Sequence, residues 1–284
     1  MIMKFDPIVK RDIKVSSRGP GAMALIMAVN AVLFAAGLLG TFGRLTNMDA
    51  GGRVDPGKLL YVYIMLAGIM AAFTVFVLPG RTTGSITSEK DSGTLDLMIA
   101  AGLTPFGIVT GKYLSALFFG MVAVFSCFPA LIFSLIYGGV GFSECLLLLI
   151  TFIPTAALVL AIGIFASSAA KTSGAAAALG YGIIIALLAG PVLISFLVSP
   201  IIPKGLNYAA YSLTVCPGMP AVSLALSQTG NRELLEILFS FLGFYPDTAF
   251  MTYITLISAA AEMIMTFIFL ISAGINITPK RRYR

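Results

Sequence analysis

Between Arg18 and Arg44 the chain runs through 25 residues without a charge, and windows of this kind recur to its far end. Lys58 to Arg81 encloses 22 uncharged residues, Lys112 to Glu144 31, Glu144 to Lys171 26, Lys171 to Lys204 32 and Lys204 to Arg232 27. A seventh window, Asp247 to Lys280, holds 32 residues interrupted only by Glu262. About 20 apolar residues cross the ~30 Å hydrocarbon core of a bilayer as a helix. Lipid offers no partner to an unpaired backbone group, so such windows must be helical or sheltered by protein. The chain is therefore expected to be an all-α integral membrane protein, residues 1–284 forming one transmembrane domain.

Six windows read as spans: about Ala22–Leu39, Leu59–Leu78, Tyr113–Tyr137, Cys145–Ala166, Ala175–Ser199 and Phe250–Ile275. The window after Lys204 differs. It carries Asn207, Tyr208, Tyr211, Ser212, Thr214, Ser223, Ser227 and Gln228, and both Pro217 and Pro220. Two prolines so close would break a helix in lipid. This segment, within 200–249, reads as re-entrant or interfacial. Charge agrees with six spans: 13 of the 18 basic residues then fall on the side of both termini and the 81–112 loop. The positive-inside rule puts that side in the cytoplasm of a cell membrane. The first apolar run reads as a span and not as a removed leader, because no convincing cleavage site follows it.

Composition removes chemistries. The chain is 58% hydrophobic and 11% charged, against about 25% charged in soluble domains. With no histidine, Ser-His catalysis and histidine-ligated metals are excluded, and an intramembrane protease finds no catalytic set. Cys127, Cys145 and Cys216 are widely separated, which gives neither a disulfide framework nor a Cys-x-x-Cys pair. The net charge of +6 is explained by cytoplasmic bias, with no nucleic acid partner implied. Gly111-Lys112 fails as a phosphate loop, because Tyr113 follows it and Phe106 stands where the first glycine belongs. Leu179-Gly180-Tyr181-Gly182 resembles a potassium filter only by chance, since it follows the cytoplasmic Lys171 directly.

Three segments outside the spans carry patterns. At 5–18, Asp6 and Pro7 suit a helix start. Phe5, Ile8, Val9 and Ile13 share one face, opposite Lys10, Arg11 and Lys14, as expected of an interfacial helix on the inner leaflet. Between the fifth and sixth spans, Leu234, Leu235, Leu238, Phe241, Leu242 and Tyr245 recur at helical spacing and predict a short external helix. The loop 81–112 predicts a short helix across the inner surface, closed near Gly102. Thr104-Pro105 then restarts a helix as cap and first residue.

That loop also carries a likeness. Its order Ser-Glu-Lys-Asp-x-Gly-Thr-Leu-Asp-Leu, then Leu-Thr-Pro, then Ile-Val-x-Gly-Lys, strongly resembles the loop of ATP-binding-cassette type-2 transporter permeases. The opening Asp-Pro-Ile-Val-Lys-Arg-Asp-Ile is similar to the family's N-terminal segment. The resemblance implies an exporter permease that pairs with a second permease copy or homologue and with separate ATPase subunits. ATP and magnesium would then sit on the partner and no cofactor on this chain. It also implies that Glu89, Lys90, Asp91, Gly93, Thr94, Leu95, Asp96 and Pro105 form the coupling helix and its exit, where nucleotide-driven motion is received.

Glu262 stands apart as the one charge inside a predicted span. Intramembrane acids are costly and point to function by default. Its partner could be a hydroxyl, a backbone carbonyl or a base from outside the spans. It keeps a second class open, an ion-coupled secondary carrier with Glu262 as its site. Such carriers usually show internal repeats, and none is evident here.

Overall fold

A computed structural model describes residues 20–45, 56–137, 140–198, 212–228 and 248–278. The expected interfacial helix at 5–18, the stripe from Leu234 to Tyr245 and the basic tail from Lys280 lie outside the described residues. Among the described residues there is no strand, and six helices are long and apolar enough to span a membrane.

Helix α1 (Pro20–Leu45) and α2 (Pro56–Phe76) supply the first two spans. A 3-10 turn, Leu78–Arg81, ends the second and leads to two short helices, α3 (Thr87–Asp91) and α4 (Thr94–Ala100). Span three is α5 (Pro105–Ser126), a 3-10 turn at Phe128–Leu131 and α6 (Ile132–Tyr137). It starts at Pro105 and not at Tyr113, because the Thr104 hydroxyl caps the helix by accepting from the Gly107 amide at 3.1 Å. It breaks after Ser126 because Pro129 has no N–H for the ladder. Helix α7 (Phe142–Ala169) and α8 (Ser173–Val198) are spans four and five. A 3-10 turn at Leu213–Val215 and α9 (Met219–Gln228) precede span six, α10 (Thr248–Ile277).

Span four is the hub. Helix α7 packs against α2, α5, α8, α9 and α10, and most of its residues are buried. Its sequence explains this, for residues 155–164 are apolar or small all round, as expected of a helix enclosed by others. Helices α1, α8 and α10 instead keep most of their apolar side chains exposed, Met27, Leu39, Leu197 and Leu256 among them. In a bilayer these faces meet lipid or another protein.

Within the segment expected to be re-entrant or interfacial, the described residues 212–228 pack against α2, α7, α8 and α10. Gly218, just before α9, donates its amide to Glu262, nine residues along α10 from Tyr253. Helix α9 then rises to the far face, where Gln228 Nε2 donates to the Glu144 carbonyl at 3.1 Å and Tyr63 donates to Gln228 Oε1 at 2.6 Å.

Candidate functional site: the loop between spans two and three

The loop begins on a seat of glycines. Thr82 and Thr83 are buried, their amides donating to the Pro79 carbonyl at 2.9 and 3.1 Å. Thr82 lies so close to Gly163 of α7 that a Cβ there would stand 1.9 Å from its hydroxyl oxygen. Thr83 lies on Gly180 of α8, where a Cβ would stand 2.9 Å from the threonine methyl. The next residue, Tyr181, donates its hydroxyl to the Phe76 carbonyl at 2.9 Å. The Leu-Gly-Tyr-Gly run is thus part of the seat on which the end of span two rests.

Helix α3 is fastened to the end of span four. Ser167 of α7, fully buried, accepts from the amides of Ile86 at 2.8 Å and Thr87 at 3.0 Å, satisfying donors at the start of α3. Lys90 reaches the opposite way. Its ammonium donates to the carbonyls of Ser168, of Ala170 at 3.2 Å and of Ser167 at 3.4 Å, which lie at the C-terminal end of α7. Those carbonyls have no helical partner and carry the negative end of the helix dipole, so a cation suits them. Burial pulls the Lys90 ammonium below its ordinary pKa, and the neighbouring Asp91 carboxylate pulls it back.

Glu89 joins the other side. Its Oε1 lies 3.2 Å from the Lys112 ammonium on α5, and its Oε2 accepts from the Thr94 hydroxyl on α4. The pair is well enclosed, with side-chain exposures of 7% for Lys112 and 15% for Glu89. Gly93 sits between α3 and α4 at φ 70°, a left-handed conformation that side chains disfavour. Leu95 is buried against the bundle, and Pro105 opens α5.

Apart from Pro105, the first residue of α5, the residues marked in the sequence divide. Glu89, Lys90, Thr94 and Leu95 turn inward and tie the loop to spans three and four. Asp91, Gly93 and Asp96 stay exposed, beside Ser88, Ser92 and Leu97. Sequence reasoning missed Ser167, Lys112, Gly163 and Gly180 as members of the site. Lys112 alone had a signal, as the lysine of the Gly-Lys that follows the loop.

Glu262 is separate from this loop. It is fully buried, with Oε1 accepting from the Gly218 amide at 3.0 Å and Oε2 from the Thr155 hydroxyl at 3.0 Å. Its partners are thus a hydroxyl and a backbone N–H, both from this chain.

No curated protein matches the chain. A sequence model of the ABC-2 type transporter family matches residues 5–215, which include the loop, its glycine seat and the first five spans. The chain belongs to the ABC-2 type transporter family, as a multi-pass membrane permease component.

Proposed function

We propose that the chain is the membrane subunit of an exporter whose ATP, with magnesium, is hydrolysed by a separate nucleotide-binding subunit. Two permeases, this chain twice or with a homologue, form the unit in the cell membrane, both termini in the cytoplasm. The observation that supports this is the double tie of the loop, Glu89 to span three and Lys90 to span four, beneath an exposed polar face. A push on that face reaches the hub helix without passing through a flexible connection. A carrier centred on Glu262 is less favoured, because both carboxylate oxygens already accept bonds from the chain itself and the side chain has no exposed surface.

Co-purification tests the docking. Reversing Asp91 and Asp96 to arginine should weaken docking of the ATPase subunit at least about a hundredfold, since two hydrogen bonds to charged groups are lost and each contributes about 1.5–3 kcal/mol. Lys171→Ala, at an exposed charge off that face, should change nothing. Full recovery with both acids reversed would move the docking face elsewhere. The chain purified alone should neither bind nor hydrolyse ATP.

Orientation has its own test. Ser88 and Ser92 are exposed on the loop. Cysteines placed there should resist an impermeant thiol reagent on intact cells and react once the membrane is opened. Labelling from outside would invert the topology.

A further inference from the structure

Spans four and six are separated in the chain by span five, yet they lie together over the halves that lead to the loop. The Thr155 hydroxyl of α7 donates to Glu262 of α10 at 3.0 Å. Further along, the rings of Phe165 and Phe269 stand 5.4 Å apart. At the ends, Asn276 Nδ2 donates to the Ser168 hydroxyl at 3.3 Å. The contacts fall in the same order in both helices, so the two run parallel. Sliding one past the other would break each contact.

Ser168 is where this pair meets the loop. Its carbonyl accepts from the Lys90 ammonium, and its hydroxyl accepts from Asn276. The residue is buried and gives its own hydroxyl proton to the Phe165 carbonyl at 2.7 Å, which leaves the oxygen as an acceptor toward span six. Ala273 and Ile277 are buried in the same apolar cluster as Leu95 of the loop and Ile164 of span four. The ring of Phe106, at the start of span three, lies so close over Gly274 that a Cβ there would overlap it.

We propose that Asn276 is a positioning residue of the loop, extending its hold through Ser168 to span six, so that spans four and six shift as one body. The inference rests on the reading of the loop as the receiver of motion. Lys90 alone draws on the end of one helix, whereas Asn276 fastens a second helix to the same residue. Apolar packing is non-directional and leaves the register of two smooth helices free. A hydrogen bond at the end of the pair fixes it, and motion is carried only by elements held in discrete arrangements.

Hydrogen exchange tests the joint without ATP, cargo or a partner subunit. The full chain in nanodiscs is followed by mass spectrometry over residues 85–91, whose Ile86 and Thr87 amides bond Ser167, one position from the joint. Asn276→Leu keeps bulk and removes the donor. Exchange in the loop should then rise about threefold, the loss expected of one long neutral bond. Ser168→Ala removes the acceptor and should do the same, and the two together should do no more than either alone. Asn276→Gln keeps the donor and should stay near the parent rate. In the other direction, Lys90→Met should quicken exchange over residues 273–277 and leave span one unchanged. If Asn276→Leu does not give a monodisperse protein, Asn276→Ala takes its place with the same expectation. Unchanged loop exchange in the folded variant overturns the joint. So does a double variant near ninefold, the product of two independent losses, or a glutamine variant as fast as the leucine one. A uniform rise over all six spans also overturns it, for Asn276 would then serve only general stability. These outcomes turn on the chain alone, whereas the receiver reading stands or falls with docking of an ATPase subunit, so the two fail separately.

Discussion

Gly163→Ala should lower the thermal midpoint of the purified chain more than alanine at any other glycine of spans four and five. The added Cβ would stand 1.9 Å from the Thr82 hydroxyl oxygen, 2.9 Å from the Thr82 Cβ and 3.1 Å from the Pro79 carbonyl oxygen. The last of these is backbone, held by two amides, so rotating one side chain cannot relieve the crowding. The turn must lift off α7, or α7 must shift within the bundle. Overpacking of this kind costs about 1–3 kcal/mol. Gly180→Ala should be milder, since its nearest neighbours are the Thr83 methyl at 2.9 Å and the Ala166 Cβ at 3.3 Å. Gly182→Ala meets nothing within 4 Å and should be neutral or stabilising, by up to about 1 kcal/mol from helix propensity. A thermal series in one detergent measures the order. Equal midpoints for the Gly163 and Gly182 variants would mean that the loop does not rest on span four.

The spans were legible because lipid leaves the backbone so few alternatives. Charge-free length is enough to find them, and the prolines at 217 and 220 set apart the window that was not read as a span. Local chemistry was legible too, as Thr104-Pro105 begins its helix by the cap that the pair predicts. The third span was misjudged at its start, because Lys112 looks like the end of a loop when only charge is read. Its ammonium is in fact buried against Glu89, well inside the helix. What the sequence withheld was the partner of each loop group. Ser167 lies about eighty positions from Ile86 and Thr87, in a helix whose apolar composition has no preferred face to mark it. Gly163 and Gly180 likewise read as ordinary small residues of a span, and only the approach of another backbone shows their use. Glu262 was legible as an anomaly, whereas its donors come from a hydroxyl and an amide distant in the chain, which no spacing rule connects.

The joint of Glu89 with Lys112 gives the last expected result, a strong non-additivity. Glu89→Ala withdraws the carboxylate from an ammonium that is only 7% exposed, and removes one of the Thr94 hydroxyl's acceptors. Removing one member of an enclosed charged pair costs more than replacing both, because desolvation of the remaining charge is no longer offset. Glu89→Ala should therefore destabilise the chain by about 1–3 kcal/mol. Lys112→Met should also destabilise. Adding Lys112→Met to Glu89→Ala should restore part of the lost midpoint instead of lowering it further, for an interaction of about 1–3 kcal/mol. Additive midpoints would show that water has already loosened the pair. The functional consequence is separable from folding. The double variant regains packing but not the tie between α3 and span three. Membranes carrying it should hold normal amounts of the chain and of the ATPase subunit bound to it. If the loop couples the chain to an ATPase as proposed, hydrolysis should continue while transport driven by it falls at least tenfold, because one of the two ties proposed to carry motion into the bundle is gone. Lys90→Met should uncouple in the same way through span four, since its ammonium is the contact to the carbonyls of Ser167, Ser168 and Ala170. Full export by both the double variant and Lys90→Met would show that the loop does not transmit the motion.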